Sequence, residues 1–367
     1  MKNSIDWLIV VPNDRLGGGA EQLLMNLADY LSNSGENCAI YFLNSERLDG
    51  WKYLDNRCKL IYSPFPSYFL GYIALFFFII KFSLKNSIKH TLSSQTLINA
   101  MLGLMKRIGF LRKSKVIVRE SNSIFHLLTG LKLLRYKIAY QIGYSKVDLL
   151  ICQTEFMKNQ LIEEIPWMKK KLKVFVQKNP INLDLVKANA LKKIKFDEQS
   201  QFIVAAGRLV PAKGFDVLIH SFNEIKDKFP KLELWILGEG AEHESLQAII
   251  NDLNLGNRAK LTGFSKNPFP YFKKARMCVL SSRIEGFPNV LLQMMTLNTN
   301  IVSTLSAGGI EEIQGIYTCE TENVTALANA MAKCLDSNNS DNRIQFDEFL
   351  EKRTIHSFMN AILKEIE

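Results

Sequence analysis

Arg208, Lys213 and Glu285 are the three side chains whose types and setting best suit chemistry on an anionic, hydroxyl-bearing ligand. Arginine presents a planar fork of N–H donors and lysine a compact charge, and both suit an oxygen on which negative charge builds as a phosphate group departs. The two are five residues apart in Gly207-Arg208-Leu209-Val210-Pro211-Ala212-Lys213-Gly214, close enough to converge on one diphosphate. Glu285 stands in Arg283-Ile284-Glu285-Gly286-Phe287-Pro288-Asn289-Val290-Leu291-Leu292-Gln293. There the carboxylate can accept from hydroxyls, while Gly286 lets the backbone approach a ligand closely. Free N–H groups around Asn289, Val290 and Leu291 make a phosphate seat at a helix start. Gln293, one or two turns along, suits a ribose.

Each of these groups needs an element to aim it. The apolar run Met277 to Leu280 reads as a buried strand, and Val290, Leu291, Met294, Met295 and Leu297 carry helical spacing, so Glu285 falls in a strand-to-helix turn. Phe202 to Ala206 is a strand delivering Arg208 and Lys213, and Leu232 to Leu237 is another that runs into Gly238-Glu239-Gly240. Leu261-Thr262-Gly263-Phe264 adds a loop at the same sheet edge. At the other end of the chain, Ile5 to Val11 reads as a strand, followed by Gly17-Gly18-Gly19-Ala20-Glu21 and a helix marked by Leu23, Leu24, Leu27, Ala28 and Leu31. That is the opening of a Rossmann-like unit whose loop can cradle phosphate. A dinucleotide fingerprint would need glycine where Gln22 stands, so a dehydrogenase is excluded. Lys115 to Val118 is a further strand, placing Arg119, Glu120 and then His126 where polar groups meet ligands in an open α/β sheet. For His126, flanked by Phe125, Leu127 and Leu128, a core or surface histidine is an equal reading.

With 367 residues the chain is long enough for two domains. The six cysteines are scattered without a C-x-x-C pair, which reads as reduced thiols in a cytoplasmic protein, and no targeting segment stands at the start. Charge is divided unevenly. Residues 1–180 hold 25 Lys and Arg against 13 Asp and Glu, and the remainder 21 against 23. A basic half points to nucleic acid or an anionic membrane surface. No nucleic-acid motif with interleaved aromatics accompanies it, so no nucleic-acid partner is expected. The apolar stretch 69–80, followed by Lys81, Lys85 and Lys89, leaves three placements open. As a helix its twelve residues cover only about 18 Å of a roughly 30 Å hydrocarbon core. A spanning helix, a buried core helix and a face dipping into a membrane therefore all remain, with the following cations favouring the last. Lys169, Lys170, Lys171 and Lys173 read as a solvated surface or a lipid-headgroup contact. His243-Glu244 lacks the second histidine of a zinc protease helix, and no Asp-x-Asp occurs, so neither a metal nor a cofactor is expected.

The stretch from Glu285 to Gln293 resembles the E-x7-E signature of retaining glycosyltransferases of the GT-B fold, the large glycosyltransferase family 4, with Gln293 in place of the second glutamate. Leu261 to Phe264, Ser281-Ser282-Arg283 and Ser306-Ala307-Gly308-Gly309-Ile310-Glu311-Glu312 agree with it, and the resemblance extends over roughly the whole chain. It implies an α/β fold of two Rossmann-like doubly wound domains facing a central cleft. Residues 1–180 would bind the acceptor, 181–345 the nucleotide sugar, and 346–367 would be a helix packing back on the first domain, the crossing falling at Asn179-Pro180. It implies Arg208, Lys213 and Glu285 as the catalytic group. Donor contacts would come from Gly18, Gly19, Gly207, Gly238, Gly240, Gly263, Phe264, Gly286, Phe287, Pro288, Asn289, Val290, Leu291 and Gln293, and acceptor-side contacts from Glu21, Glu120 and His126.

The implied activity is transfer of a hexose or N-acetylhexosamine, with retention of configuration, from a nucleotide sugar whose base is uracil by preference over guanine. The acceptor is expected to be a lipid-linked oligosaccharide in bacterial surface-polysaccharide assembly, met by a peripheral protein on the inner face of the cell membrane. Cations and helix dipoles, not a metal, would carry the diphosphate charge. A catalytically silent scaffold that binds nucleotide sugar or a partner enzyme is the alternative, motivated by Gln293. Glutamine keeps one acceptor oxygen and gains two donors, so it still holds a ribose while losing a charge-assisted bond worth about 1 kcal/mol.

Overall fold

Thirteen strands, each followed or preceded by a helix on the same chain, define the architecture in a computed structural model that describes residues 3–15, 18–121, 124–193 and 200–367. The chain divides after Pro180 and again after Thr354, giving one unit of Met1–Pro180 with Ile355–Glu367 and a second of Ile181–Thr354. The first unit holds β1 (Asn3–Val11), β2 (Cys38–Phe42), β3 (Cys58–Tyr62), β4 (Asn86–Ser93), β5 (Lys115–Arg119), β6 (Leu149–Cys152) and β7 (Val174–Val176). They form one parallel sheet in the order β3-β2-β1-β4-β5-β6-β7. Strands that must be covered on both faces read as near-continuous apolar runs. Along them successive side chains alternate between two cores. Leu8, Val10, Tyr41, Val116 and Val118 enter one, and Trp7, Ile9, Ile40, Phe42 and Ile117 the other.

The second unit repeats the plan with β8 (Gln201–Ala206), β9 (Leu232–Leu237), β10 (Ala259–Gly263), β11 (Met277–Leu280), β12 (Ile301–Thr304) and β13 (Tyr317–Cys319). Its order is β10-β9-β8-β11-β12-β13, again parallel throughout. The order reverses between β1 and β4 in the first sheet and between β8 and β11 in the second. Crevices outside the carboxyl ends of strands at such switch points are where open α/β sheets bind ligands.

Two expectations change here. The returning segment starts at Ile355, not at 346. Helix Asn342–Glu351 puts Phe346 and Leu350 into the second unit's core beside Phe287 and Met295, and Ile181 N donates to Arg353 O at 2.7 Å where that unit closes. Helix Ile355–Ile366 then lays Ile355, Phe358, Met359 and Ile362 into the first unit's core. The stretch 69–80 lies in helix Tyr68–Lys85, which buries Gly71, Leu75, Ile79 and Phe82 and exposes Phe69, Phe77 and Leu84. It is half-packed, so the fully buried core helix is not the placement adopted.

Candidate active site

The turns after β8 and β11 meet in the second unit. Lys213 and Glu285, 72 residues apart in sequence, form an ion pair through Nζ and Oε1. The same Oε1 accepts from Ser282 Oγ at 2.8 Å, and Glu285 N donates to Ser306 O at 2.8 Å, so both the carboxylate and its backbone are fixed. Lys213 O in turn accepts from Ser281 Oγ at 2.9 Å. Gly214 is what allows the two turns to come this close. It adopts φ +60°, and a Cβ there would lie 2.3 Å from Ser281 O. Arg208 sits exposed on the same loop, and among the described residues its guanidinium has no hydrogen-bond or ion-pair partner.

The loop is braced by a residue that sequence reasoning did not assign a role. Arg283 donates in bidentate fashion to Asp216 at 2.9 and 2.7 Å, to Pro211 O at 2.7 Å and to Glu322 at 2.7 Å, while its N–H bonds Ala212 O. It thereby ties the Arg208–Lys213 loop to the Glu285 turn. Burial pushes the Asp216 carboxyl up, but the Arg283 fork outweighs it and holds that carboxyl below its ordinary value. The hint in sequence was an arginine directly beside the strand-to-helix turn; its partner, 67 positions earlier, carried no signal.

The other expected donor residues of the second unit lie at the same sheet end. Gly207 N donates to Leu237 O, and Leu209 N to Glu239 O at 2.9 Å, so the Arg208 loop lies on the Gly238–Gly240 turn. A Cβ on Gly238 would stand 1.8 Å from Gly207 O, which explains glycine there. Gly238 N bonds Gly263 O at 2.9 Å, bringing the β10 loop alongside, with Phe264 exposed. Gly286, Phe287 and Pro288 are buried, and helix Asn289–Leu297 begins after Pro288, which supplies no side-chain cap; Leu291 N donates to Pro288 O at 3.0 Å, so the free amide expected there is already bonded. Val290 and Gln293 are half-buried along it, and Leu291 packs into the core. Ser306 Oγ, beside the Glu285 amide, is buried without a hydrogen-bond partner among the described residues.

In the first unit, Gly18 caps helix Gly19–Asn33, and Glu21 in its first turn folds its carboxylate back toward Gly18. Leu16 and Gly17 of that loop lie outside the described residues, as does the side chain of His126, whose backbone belongs to the short helix Ile124–Leu127. Glu120 requires a correction. It is not a ligand-facing carboxylate but is buried, accepting from Thr96 Oγ1 at 2.8 Å, Tyr144 OH at 2.5 Å and Asn99 Nδ2 at 3.4 Å. Burial holds its carboxyl above the ordinary range despite these donors. Its neighbour Arg119 is buried too, bonded to Ser94 Oγ at 2.9 Å and to Asn179. The pair fixes the sheet end from inside; the reason is that the chain after β5 turns inward onto helix Thr96–Arg107.

Two cations, a carboxylate and a helix start thus stand at one switch point. Residues 186–347 match the family model described as glycosyl transferases group 1. The chain is 33% identical over 183 residues to an uncharacterized glycosyltransferase of Methanocaldococcus jannaschii, covering 48% of this chain and 44% of that one. It is 29% identical over 216 residues to the N-acetylgalactosamine-N,N'-diacetylbacillosaminyl-diphospho-undecaprenol 4-alpha-N-acetylgalactosaminyltransferase of Campylobacter jejuni, covering 58% and 57%. The match thus spans about half the length of these relatives. Among solved structures, Anabaena HepE in complex with UDP and glucose superposes with a TM-score of 0.78 at 16% identity, covering 98% of both chains. The fold is GT-B.

Proposed function

We propose that this chain is a retaining glycosyltransferase that moves a hexose or N-acetylhexosamine from a UDP-sugar to a sugar acceptor, a lipid-linked oligosaccharide of surface-polysaccharide assembly. The observation that carries this reading is the convergence of Lys213 and Glu285 with the unpartnered Arg208 at one sheet end. In the reaction the bond from the anomeric carbon to the diphosphate breaks, its electron pair passing to the β-phosphate oxygen. Arg208 and Lys213 neutralise that charge as it builds, and the start of helix Asn289–Leu297 adds its dipole. Glu285 holds the sugar by its hydroxyls. The acceptor hydroxyl attacks from the side the diphosphate leaves, and its proton goes to the departing phosphate, so no protein nucleophile is required. Cationic side chains take the part a metal would otherwise have. The UDP complex of Anabaena HepE supports uracil as the base, and the diphospho-undecaprenol in the Campylobacter relative's name supports a lipid-linked acceptor.

The test is a thermal-shift panel of UDP, GDP and their sugar conjugates on the wild type and on Arg208→Ala. A nucleotide at a hundred times its Kd stabilises by about 2.7 kcal/mol. Because Arg208 is exposed and unpartnered, its loss leaves the unliganded melting temperature within about 0.5 kcal/mol of wild type. Losing a charge-assisted bond of about 2 kcal/mol weakens binding roughly thirtyfold, and the ligand-induced shift falls to about a third. A panel without any shift at millimolar nucleotide refutes the reading and leaves the silent scaffold, with Gln293→Glu as the restoring change to examine.

A further inference from the structure

Two helices of the first unit carry apolar stripes that no described residue covers. On Tyr68–Lys85 the exposed apolar side chains include Phe69, Leu70, Ile73, Phe77 and Leu84, and Phe69 is 70% exposed. On Gly130–Gly143 they are Leu131, Leu134, Ile138 and Ile142, spaced three or four apart, and Leu131 is 85% exposed. Both helices pack on Thr96–Arg107. Tyr72 of one and Tyr136 of the other press on the same core, so the stripes share one side of the sheet. The packing is close: a Cβ on Gly103 would stand 1.8 Å from Gly143 O, and one on Gly71 2.0 Å from Leu43 O. A helix held so tightly to its sheet cannot also cross a bilayer.

The two helices carry five cations and no acid; Lys137 is tied to Glu164, and Lys81, Lys85, Lys132 and Arg135 remain exposed among the apolar side chains. Apolar residues at the centre with cations interspersed match the boundary between acyl chains and anionic headgroups. A second copy of the chain would set like charge against like charge, given 25 Lys and Arg against 13 Asp and Glu over residues 1–180. The stripes also have a direction. Each helix begins after a strand's carboxyl end, following β3 and β5, and Phe69 and Leu131 lie in the first turns. The most exposed apolar groups therefore stand at the same sheet edge as Gly18 and Glu21.

We propose that these two stripes form one docking face on which the first unit rests on an anionic bilayer, tilted so that the sheet edge carrying Gly18 and Glu21 is the part nearest the lipid. The face deepens the lipid-linked acceptor reading and rests on it for its purpose, because an acceptor anchored by its lipid would arrive at that edge.

Flotation of the full chain with phosphatidylcholine vesicles, with and without phosphatidylglycerol, tests it. Wild type floats with the anionic vesicles, and salt weakens the binding without abolishing it. Phe69→Ser combined with Leu131→Ser lowers the bound fraction about tenfold or more, while the melting temperature and the UDP-induced shift stay at wild-type values. Equal flotation of the double variant, no flotation of the wild type with either vesicle, or a protein dimer that the double variant dissolves would each overturn the proposal. Flotation without any UDP shift keeps the face and removes the nucleotide-sugar reading; a UDP shift without flotation does the reverse.

Discussion

Replacing Glu285 by glutamine separates the carboxylate's ion pair with Lys213 from the hold on the sugar proposed for it. In the unliganded chain it is the counter-charge of Lys213, with the two side chains 15% and 20% exposed. A pair at that depth lies between surface bridges worth 0–1 kcal/mol and buried ones whose breaking costs about 3–5 kcal/mol, so its loss costs about 2 kcal/mol. For a unit of this size that is a fall of about 4–8 °C in melting temperature. Lys213 is then free, and a diphosphate no longer has to compete with Glu285 for it. UDP should bind Glu285→Gln more tightly than wild type, by about 3–10-fold. Transfer should nevertheless fall about 10–100-fold, because the charge-assisted hold on the sugar hydroxyls is gone. Lys213→Ala gives the opposite nucleotide result, lower stability together with weaker UDP binding. Isothermal titration with UDP and single-turnover transfer on the three proteins decide the matter. If Glu285→Gln weakens UDP as much as Lys213→Ala does, the idea of competition for Lys213 is wrong.

Two further expectations come from buried charge. Glu120 has a folded-state carboxyl raised by burial, so its favourable contribution is fully present below the ordinary value near 4.5 and is lost as pH rises through the raised one. Urea unfolding of Glu120→Gln against wild type, from below that value to neutrality, should show wild type losing ground to the variant as pH increases; a constant difference would refute it. Arg353 lies between the rings of Phe287 and Phe349, 4.7 and 4.1 Å from their centroids, with Nη1 unpartnered among the described residues. Burial pushes it down to about 10, against the pull of Glu312. Arg353→Met keeps the packing and sheds the desolvation, so stability should stay within about 1 kcal/mol, whereas Arg353→Ala should cost about 2–3 kcal/mol in the same unfolding measurement.

What could be read from the chain was what is local to it. The Arg208–Lys213 loop and the Glu285 turn each sit between a strand and a helix a few residues away, so periodicity and glycine placement locate them within a residue or two. Their meeting was implied by family resemblance, and the contacts that enforce it come from far off: Asp216 for Arg283, Ser306 for Glu285. Glu120 shows the limit. A carboxylate after a strand reads as ligand-facing until Thr96, Asn99 and Tyr144, at least 20 residues away, are known to surround it. The Leu131 to Ile142 stripe has an ordinary helical period, and only the fold reveals that nothing among the described residues covers it.

Helix Ile355–Ile366 makes the first unit discontinuous in sequence, and this orders events at the ribosome. Residues 1–180 emerge before 181–354, yet their core keeps an open place for Phe358, Met359 and Ile362 until helix Ile355–Ile366 is made. The second unit needs nothing beyond Thr354 and can close before the first is finished. Synthesis thus reverses the usual amino-terminal precedence, and a nascent chain stalled short of Ile355 would display a finished second unit beside an unsealed first one.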